Sequence, residues 1–270
     1  MRQSRYLCRL LPLRRFPSLV SEDSRLDSTL RFTTQIGRYR VAALTQLSGH
    51  NPAFQPDGVY GSDKQLLLGT DIQRLSVDVI YGSVHDAISA SALSAAQVSA
   101  LPANSLAGTI SDNTAYGVVG KYSIDHAGRL KLYAGFDRIR YANPVLPLSA
   151  GMTTVGGYVL SVLTQNAYTF HKILDASWGG AKYALTRKLD LSGGSYTYRQ
   201  NSYSGNGCTD NSNAKCSGNL NVVSAVAAYK ISRFLGIYGG GEWSEVTNGY
   251  SSAYLYTTDV TATIGGQFHF

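Results

Sequence analysis

Residues Leu130–Asp137 read LKLYAGFD. Apolar Leu130, Leu132, Ala134 and Phe136 alternate with Lys131, Tyr133 and Asp137, and a period of two puts the two sets on opposite faces of a β-strand. The same period recurs along almost the whole chain. Upstream, Leu26, Leu30, Phe32 and Ile36 alternate with Asp27, Thr29, Arg31 and Gln35. Tyr39, Val41 and Ala43 alternate with Arg40 and Ala42. Outward candidates follow at Leu66, Leu68 and Ile72, then at Leu75, Val77, Val79 and Tyr81, the last set opposed by Ser76 and Asp78. Tyr116, Val118 and Tyr122 oppose Lys121 and Ser123.

Downstream, Leu189 and Leu191 oppose Asp190 and Ser192. Val223, Ala225, Ala227, Tyr229 and Ile231 oppose Ser224 and Lys230; Leu235, Ile237 and Trp243 oppose Tyr238 and Glu242. A strand from about Lys172 to Tyr183 is expected, but its facing stays open, because Asp175 and Trp178 fall on opposite sides from those their polarity suggests. The tail, ending TIGGQFHF, sets Ile264, Phe268 and Phe270 against Thr263, Gln267 and His269. Eleven strands are expected in all.

The connections alternate as regularly as the strands. Tight links, Gly37-Arg38, Gln73-Arg74, Asp125–Gly128, Thr186-Arg187 and Ser232-Arg233, follow every odd-numbered strand of this series. Long links, Ser48–Asp63, Val84–Asp112, Ala142–His171, Gln200–Asn219 and Val246–Thr258, follow every even one. Short turns at one end and long loops at the other are the rule of transmembrane β-barrels. A tilted spanning strand needs roughly 9–11 residues, about what each run supplies. Apolar side chains then face lipid, polar ones a watery lumen.

Composition agrees. Charged residues make up 15% of the 270, against roughly 25% in soluble domains, yet mean hydropathy is only −0.10. Gly (28) and Tyr (19) are plentiful, as in β-rich structures with aromatic residues at an apolar-to-wet boundary. The two long uncharged stretches, Ala87–Ser111 and Ala142–Phe170, lack the roughly 20 consecutive apolar residues of a membrane helix and are read as loops. Residues 1–24 carry five arginines and two acids, with an apolar run broken by Arg9 and Pro12, so no signal-peptide core is read there. The net charge of +7 forms no basic cluster in the body of the chain, and no nucleic-acid partner is expected.

RLDSTLRF (Arg25–Phe32), TISDNTAYGVVGKY (Thr109–Tyr122), LKLYAGFDRIRYANPVLPLSAG (Leu130–Gly151), AKYALTRKLDLSGGSYTYRQNSY (Ala181–Tyr203) and the terminal GGQFHF carry a resemblance. Over residues 25–270 the chain resembles the general diffusion porins of Gram-negative outer membranes, most closely their betaproteobacterial, terminal-Phe branch. That resemblance implies a sixteen-stranded barrel assembled as a homotrimer in outer-membrane lipid, passing ions and small hydrophilic solutes by passive diffusion. It implies that Phe268 and Phe270 resemble the signal read by the outer-membrane barrel assembly machinery. It further implies that about five strands, an inward-folded loop and a signal peptide precede the first strand in the family. Residues 1–24 match nothing in it and are read as a separate basic, disordered segment.

Lumen-facing charges are the candidate functional residues: Arg25, Asp27, Arg31, Arg40, Asp71, Asp78, Lys121, Lys131, Asp137, Lys230 and Glu242. Rings of such charge set the ion preference of a pore. The resemblance singles out Arg31 and Arg40 for the family's basic wall. Cys208 and Cys216, eight positions apart in a polar loop, are a disulfide candidate in an oxidising compartment, with two free thiols as the alternative. Catalysis has no support: His50, His85, His126, His171 and His269 are dispersed, and no nucleophile elbow, phosphate loop or paired-carboxylate motif is present. Gly239–Gly241 is read as close strand packing. No cofactor and no metal site is expected. Beside the channel stand two other readings, a non-channel barrel serving adhesion or structure, and a truncated chain without function.

Overall fold

The computed structural model describes residues 29–46, 62–91, 93–124, 128–145, 147, 153–155, 158–204, 216–249 and 257–268. Within them lie β1 (Thr29–Ile36), β2 (Tyr39–Gln46), β3 (Ser62–Ile72), β4 (Leu75–Ser91), α1 (Ala95–Ala100), β5 (Ser105–Ser123), β6 (Leu130–Ala142), β7 (Thr153–Val155), β8 (Tyr158–Thr164), β9 (Lys172–Ala184), β10 (Leu189–Gln200), β11 (Gly218–Lys230), β12 (Leu235–Asn248) and β13 (Thr258–Phe268). Eleven strands form one path, β1-β2-β3-β4-β5-β6-β9-β10-β11-β12-β13. Every step along it is antiparallel. These are the eleven strands that the alternation expects.

Two expectations need correction. Ala87–Ser111 is not a loop: β4 runs on to Ser91, α1 follows, and β5 begins at Ser105. Ser94 caps α1 in a reciprocal box, its hydroxyl accepting from the Gln97 amide while the Gln97 side chain accepts from the Ser94 amide. Nor is Ala142–Phe170 wholly a loop. β7 and β8 form a hairpin there, and β8 pairs in parallel with β5 from Ser105↔Val159. The physical reason is hydrogen-bond accounting. β6 stops pairing with β5 at Asp112↔Ala142, and β8 supplies partners to the part of β5 that β6 does not reach.

Register fixes the faces. Through the paired rows Arg40↔Gly69, Gly69↔Asp78, Asp78↔Val119, Val119↔Gly135, Gly135↔Trp178 and Trp178↔Tyr196, one parity continues across the sheet. Exposure then tells inside from outside. The opposite parity carries the exposed apolar side chains, among them Ile36, Val79, Val118, Val223 and Ile264, the last 91% exposed. The first parity carries the buried ones, including Ile80, Ala115, Val119, Leu174, Leu220, Val222 and Val246.

The open question about β9 is answered by this register. Trp178 faces in, packed against Tyr196 with ring centroids 6.5 Å apart. Asp175 faces out, where Arg138 of β6 donates to it from Nε at 2.5 Å and Nη2 at 2.7 Å. Gly135 is the seat of the Trp178 ring: a Cβ there would lie 2.4 Å from it. Gly240, in the Gly239–Gly241 run, allows an equally close approach, since its Cβ would meet the Ala225 carbonyl at 2.5 Å. Close strand packing is therefore the role of that run.

Candidate functional site

The inner face is charged at the tight-turn end, and beyond it packed apolar clusters stand beside the buried polar side chains of Asp63, Gln65, Asn113 and Gln200. Ile80, Val84, Ala115 and Val119 pack into one cluster with Leu67, Ala87, Ile139 and Trp178; Tyr196, Leu220, Val222 and Val246 pack into a second with Trp178 and Tyr198. The inner face, expected to be the polar one, thus carries apolar clusters as well. Apolar side chains projecting inward from neighbouring strands reach one another and bury apolar surface.

Two groups of charge occupy the polar end. On β2–β4, the Arg40 guanidinium pairs with the Asp71 carboxylate, donates to Asp78 Oδ1 from Nη2 at 2.7 Å and from Nε at 3.2 Å, and donates to Ser76 Oγ at 2.9 Å. Lys121 lies across the strand from Ser76. This group has two carboxylates around one guanidinium. Gly69 makes room for it, since a Cβ there would lie 1.9 Å from Asp78 Oδ1.

On β6 and β9–β11 cations outnumber acids. Lys182 Nζ lies 3.1 Å and Lys230 Nζ 3.7 Å from Asp190 Oδ2. Lys131 is the register partner of Lys182. Like charges placed directly opposite destabilise a strand pair, and a single carboxylate offsets only part of that repulsion. Two lysines at one acid, with Lys131 beside them by register, leave this side basic.

The remaining candidates are more scattered. Arg31 is on the inner face of β1, opposite Leu44, and is exposed. Asp137 is buried over Gly117, where a Cβ would lie 2.0 Å from its Oδ1. Glu242 sits between Ser224 and Thr261. Phe268 projects outward, 69% exposed. Arg25, Asp27, Cys208 and Phe270 lie outside the described residues. Cys216 is disulfide-bonded, and its carbonyl accepts from the Gln200 side chain.

Lys182 and Asp190 complete the basic group and stand outside the candidate list. Asp190 was legible as the polar partner of Leu189 and Leu191. Lys182 was not, because β9 surrounds it with Gly179, Gly180, Ala181 and Ala184, whose small side chains give alternation nothing to read. At the other end, Asp112 fastens the connections. Its carboxylate accepts from the Asp86 amide at 3.0 Å and the Val145 amide at 3.0 Å, and His85 Nδ1 lies 3.5 Å away. Asp86, in the bulge between Val84 and Ala87, holds a left-handed φ of 54°. Burial, helped by the Asp112 charge and opposed by His85, pushes its carboxyl up to about 6.

No family model matches the sequence, and no curated protein matches it. Solved structures do. OmpT of Vibrio cholerae, an outer membrane protein in its trimer form, is similar at 12% identity with a TM-score of 0.61, covering 90% of this chain and 65% of that one. Its loop L8 deletion mutant gives 12% identity and 0.55 over 89% and 62%. An anion-selective porin from Comamonas acidovorans gives 10% identity and 0.52 over 88% and 56%. The chain therefore spans less than two thirds of the length of each, and likeness at such identities speaks for the fold alone. With its exposed apolar outer face and unbroken antiparallel path, this is the fold of the transmembrane β-barrels of Gram-negative outer membranes.

Proposed function

We propose that the chain, over residues 25–270, is a porin of the Gram-negative outer membrane, a water-filled channel for passive diffusion of ions and small hydrophilic solutes. The observation that carries this reading is the single inner parity. Arg31, Arg40, Asp71, Asp78, Lys121, Lys131, Asp137, Lys230 and Glu242 share one face of an eleven-strand path, whose other face is apolar and exposed. Charges on a shared face can act together on a passing ion. Solute is filtered by bore and charge, and the process needs no catalytic group and no cofactor.

Three subordinate proposals accompany it. The barrel works as a homotrimer, in keeping with the trimer form of the OmpT neighbour. Phe268 and Phe270 form the signal for the barrel assembly machinery, an exposed outward aromatic at Phe268 being the supporting feature. Cys208 closes the disulfide of Cys216.

A second reading, a non-channel barrel for adhesion or structure, draws on the two packed apolar clusters of the inner face. Conductance of the refolded protein in a planar bilayer separates the two. Discrete steps, with a reversal potential that responds to Arg31→Glu, support the channel. Electrical silence from barrels that resist SDS and shift mobility on heating would overturn it in favour of the second reading.

A further inference from the structure

The tight connections share a residue type that the lumen reading leaves unused. Arg38 lies between β1 and β2, Arg74 between β3 and β4, Arg129 between β5 and β6, Arg187 between β9 and β10, and Arg233 between β11 and β12. Lys188 adds a sixth cation, against one carboxylate, Asp125. The long connections, 47–61, 92–104, 143–171, 201–217 and 249–257, are far longer in total yet hold no arginine. Their charges are Asp57, Asp210 and Lys215.

Placement is as regular as composition. Four of the five arginines lie within two residues of an exposed apolar side chain, Ile36 and Tyr39, Leu75, Leu185, or Ile231 and Phe234; the fifth, Arg129, adjoins the half-buried Leu130 at the foot of β6. A strand rises about 3.3 Å per residue, so the cations sit a few ångströms beyond the edge of the apolar wall. At two of the connections the side chain demonstrably lies along that wall. The Arg38 guanidinium stacks 5.1 Å from the Tyr39 ring and donates to its hydroxyl at 3.0 Å; that of Arg233 lies 4.4 Å from the Phe234 ring. Arg74 spans to the neighbouring connection, donating to the Ile124 carbonyl at 2.7 Å.

Cations at the rim of an apolar wall meet the depth at which lipid headgroups carry their phosphates. The planar guanidinium fork suits a phosphodiester better than a point charge does. We propose that the tight-turn end is an arginine ring that binds the phosphodiesters of anionic phospholipids, and so gathers lipid of the phosphatidylglycerol type around that end of the barrel. The ring is outside the lumen, and the inference holds whether or not the lumen conducts.

Electron spin resonance on the full chain, refolded in phosphatidylcholine bilayers, tests it by comparing spin-labelled phosphatidylglycerol with spin-labelled phosphatidylcholine. One engaged cation is worth about 1 kcal/mol, so at low salt the anionic probe should associate about fivefold more strongly or better. The preference should collapse in 1 M NaCl, where charges are screened over roughly 3 Å. The triple variant Arg38→Gln, Arg187→Gln, Arg233→Gln should bring it close to unity. Should that variant not fold, Arg38→Gln and Arg233→Gln singly should each lower it. Equal association of both probes by the native protein overturns the proposal, as does a preference untouched by these variants. So does a preference abolished instead by Arg140→Gln with Arg199→Gln at the opposite end of the same outer face.

Discussion

The two charged groups of the inner face hold cations and carboxylates in different proportions, balanced around Arg40 and cationic around Asp190. Around Arg40 two carboxylates share one guanidinium, with Lys121 beside them by register; around Asp190 two lysines share one carboxylate, with Lys131 beside them by register. The first is close to a closed ion-pair network, with short contacts on both acids. The second is looser, its ammonium groups at 3.1 and 3.7 Å and its third lysine held beside the pair only by register. A closed network spends its charge on the fold, whereas an unbalanced one leaves positive charge on the inner face. A face lined by both is therefore not adequately described by its net charge.

The strongest way to break the comparison is Arg40→Glu. It would place three carboxylates where two now share a guanidinium, and loss of a partly buried pair with new repulsion should cost about 2–3 kcal/mol. Urea midpoints followed by heat-modifiable mobility in SDS would read this, and an unchanged midpoint would show that the network is not structural. Asp190→Asn acts on the other group. With Lys182 and Lys230 left without their acid, the stability loss should be about 1 kcal/mol or less, because the pairs are partly exposed. The reversal potential of reconstituted channels should move toward anions; movement toward cations would contradict the basic assignment.

Arg31→Glu sharpens the contrast from β1. Exposed as it is, the change should leave stability within about 0.5 kcal/mol, while shifting the reversal potential toward cations. Asp86, beside Asp112 at the long-loop end and past the roughly ten spanning residues of β4, supplies a titratable reference. Its folded value of about 6 stands above the 3.8 of an ordinary aspartate. The folded state thus favours the protonated form, so its stabilising contribution is complete below about pH 4 and lost as pH rises from there through 6. Urea midpoints measured between pH 4 and 7 should decline accordingly, and Asp86→Asn should flatten that decline. A slope that survives the substitution would assign it to another group.

Much of this molecule was legible in its sequence, for a physical reason. A wall with lipid on one side must be apolar on one parity, so β1 to β6 and β10 to β13 announce themselves by period two. Tight turns announce their ends. What stayed hidden follows from the same logic. β9 carries Gly179, Gly180 and the alanines 176, 181 and 184, so alternation there is nearly silent, and Lys182 and the inward Trp178 went unplaced. β7 and β8 take their order from a parallel pairing with β5 about fifty residues away in sequence, a contact that no local pattern encodes. The inner apolar clusters also escaped notice. Ile80 and Val119 belong to the inward parity, and only packing across strands shows that they are covered.

The seat that Gly135 provides for Trp178 has a practical consequence. The chain holds two tryptophans, and the fold assigns them to different media. Trp178 lies on the inner face against Tyr196, while Trp243 stands on the outer face of β12, 40% exposed. The protein thus carries its own pair of optical reporters, one for the interior and one for the bilayer. Brominated acyl chains should dim Trp243, and a water-borne quencher admitted through the lumen should dim Trp178. Native fluorescence can therefore follow insertion and interior hydration separately, without a label.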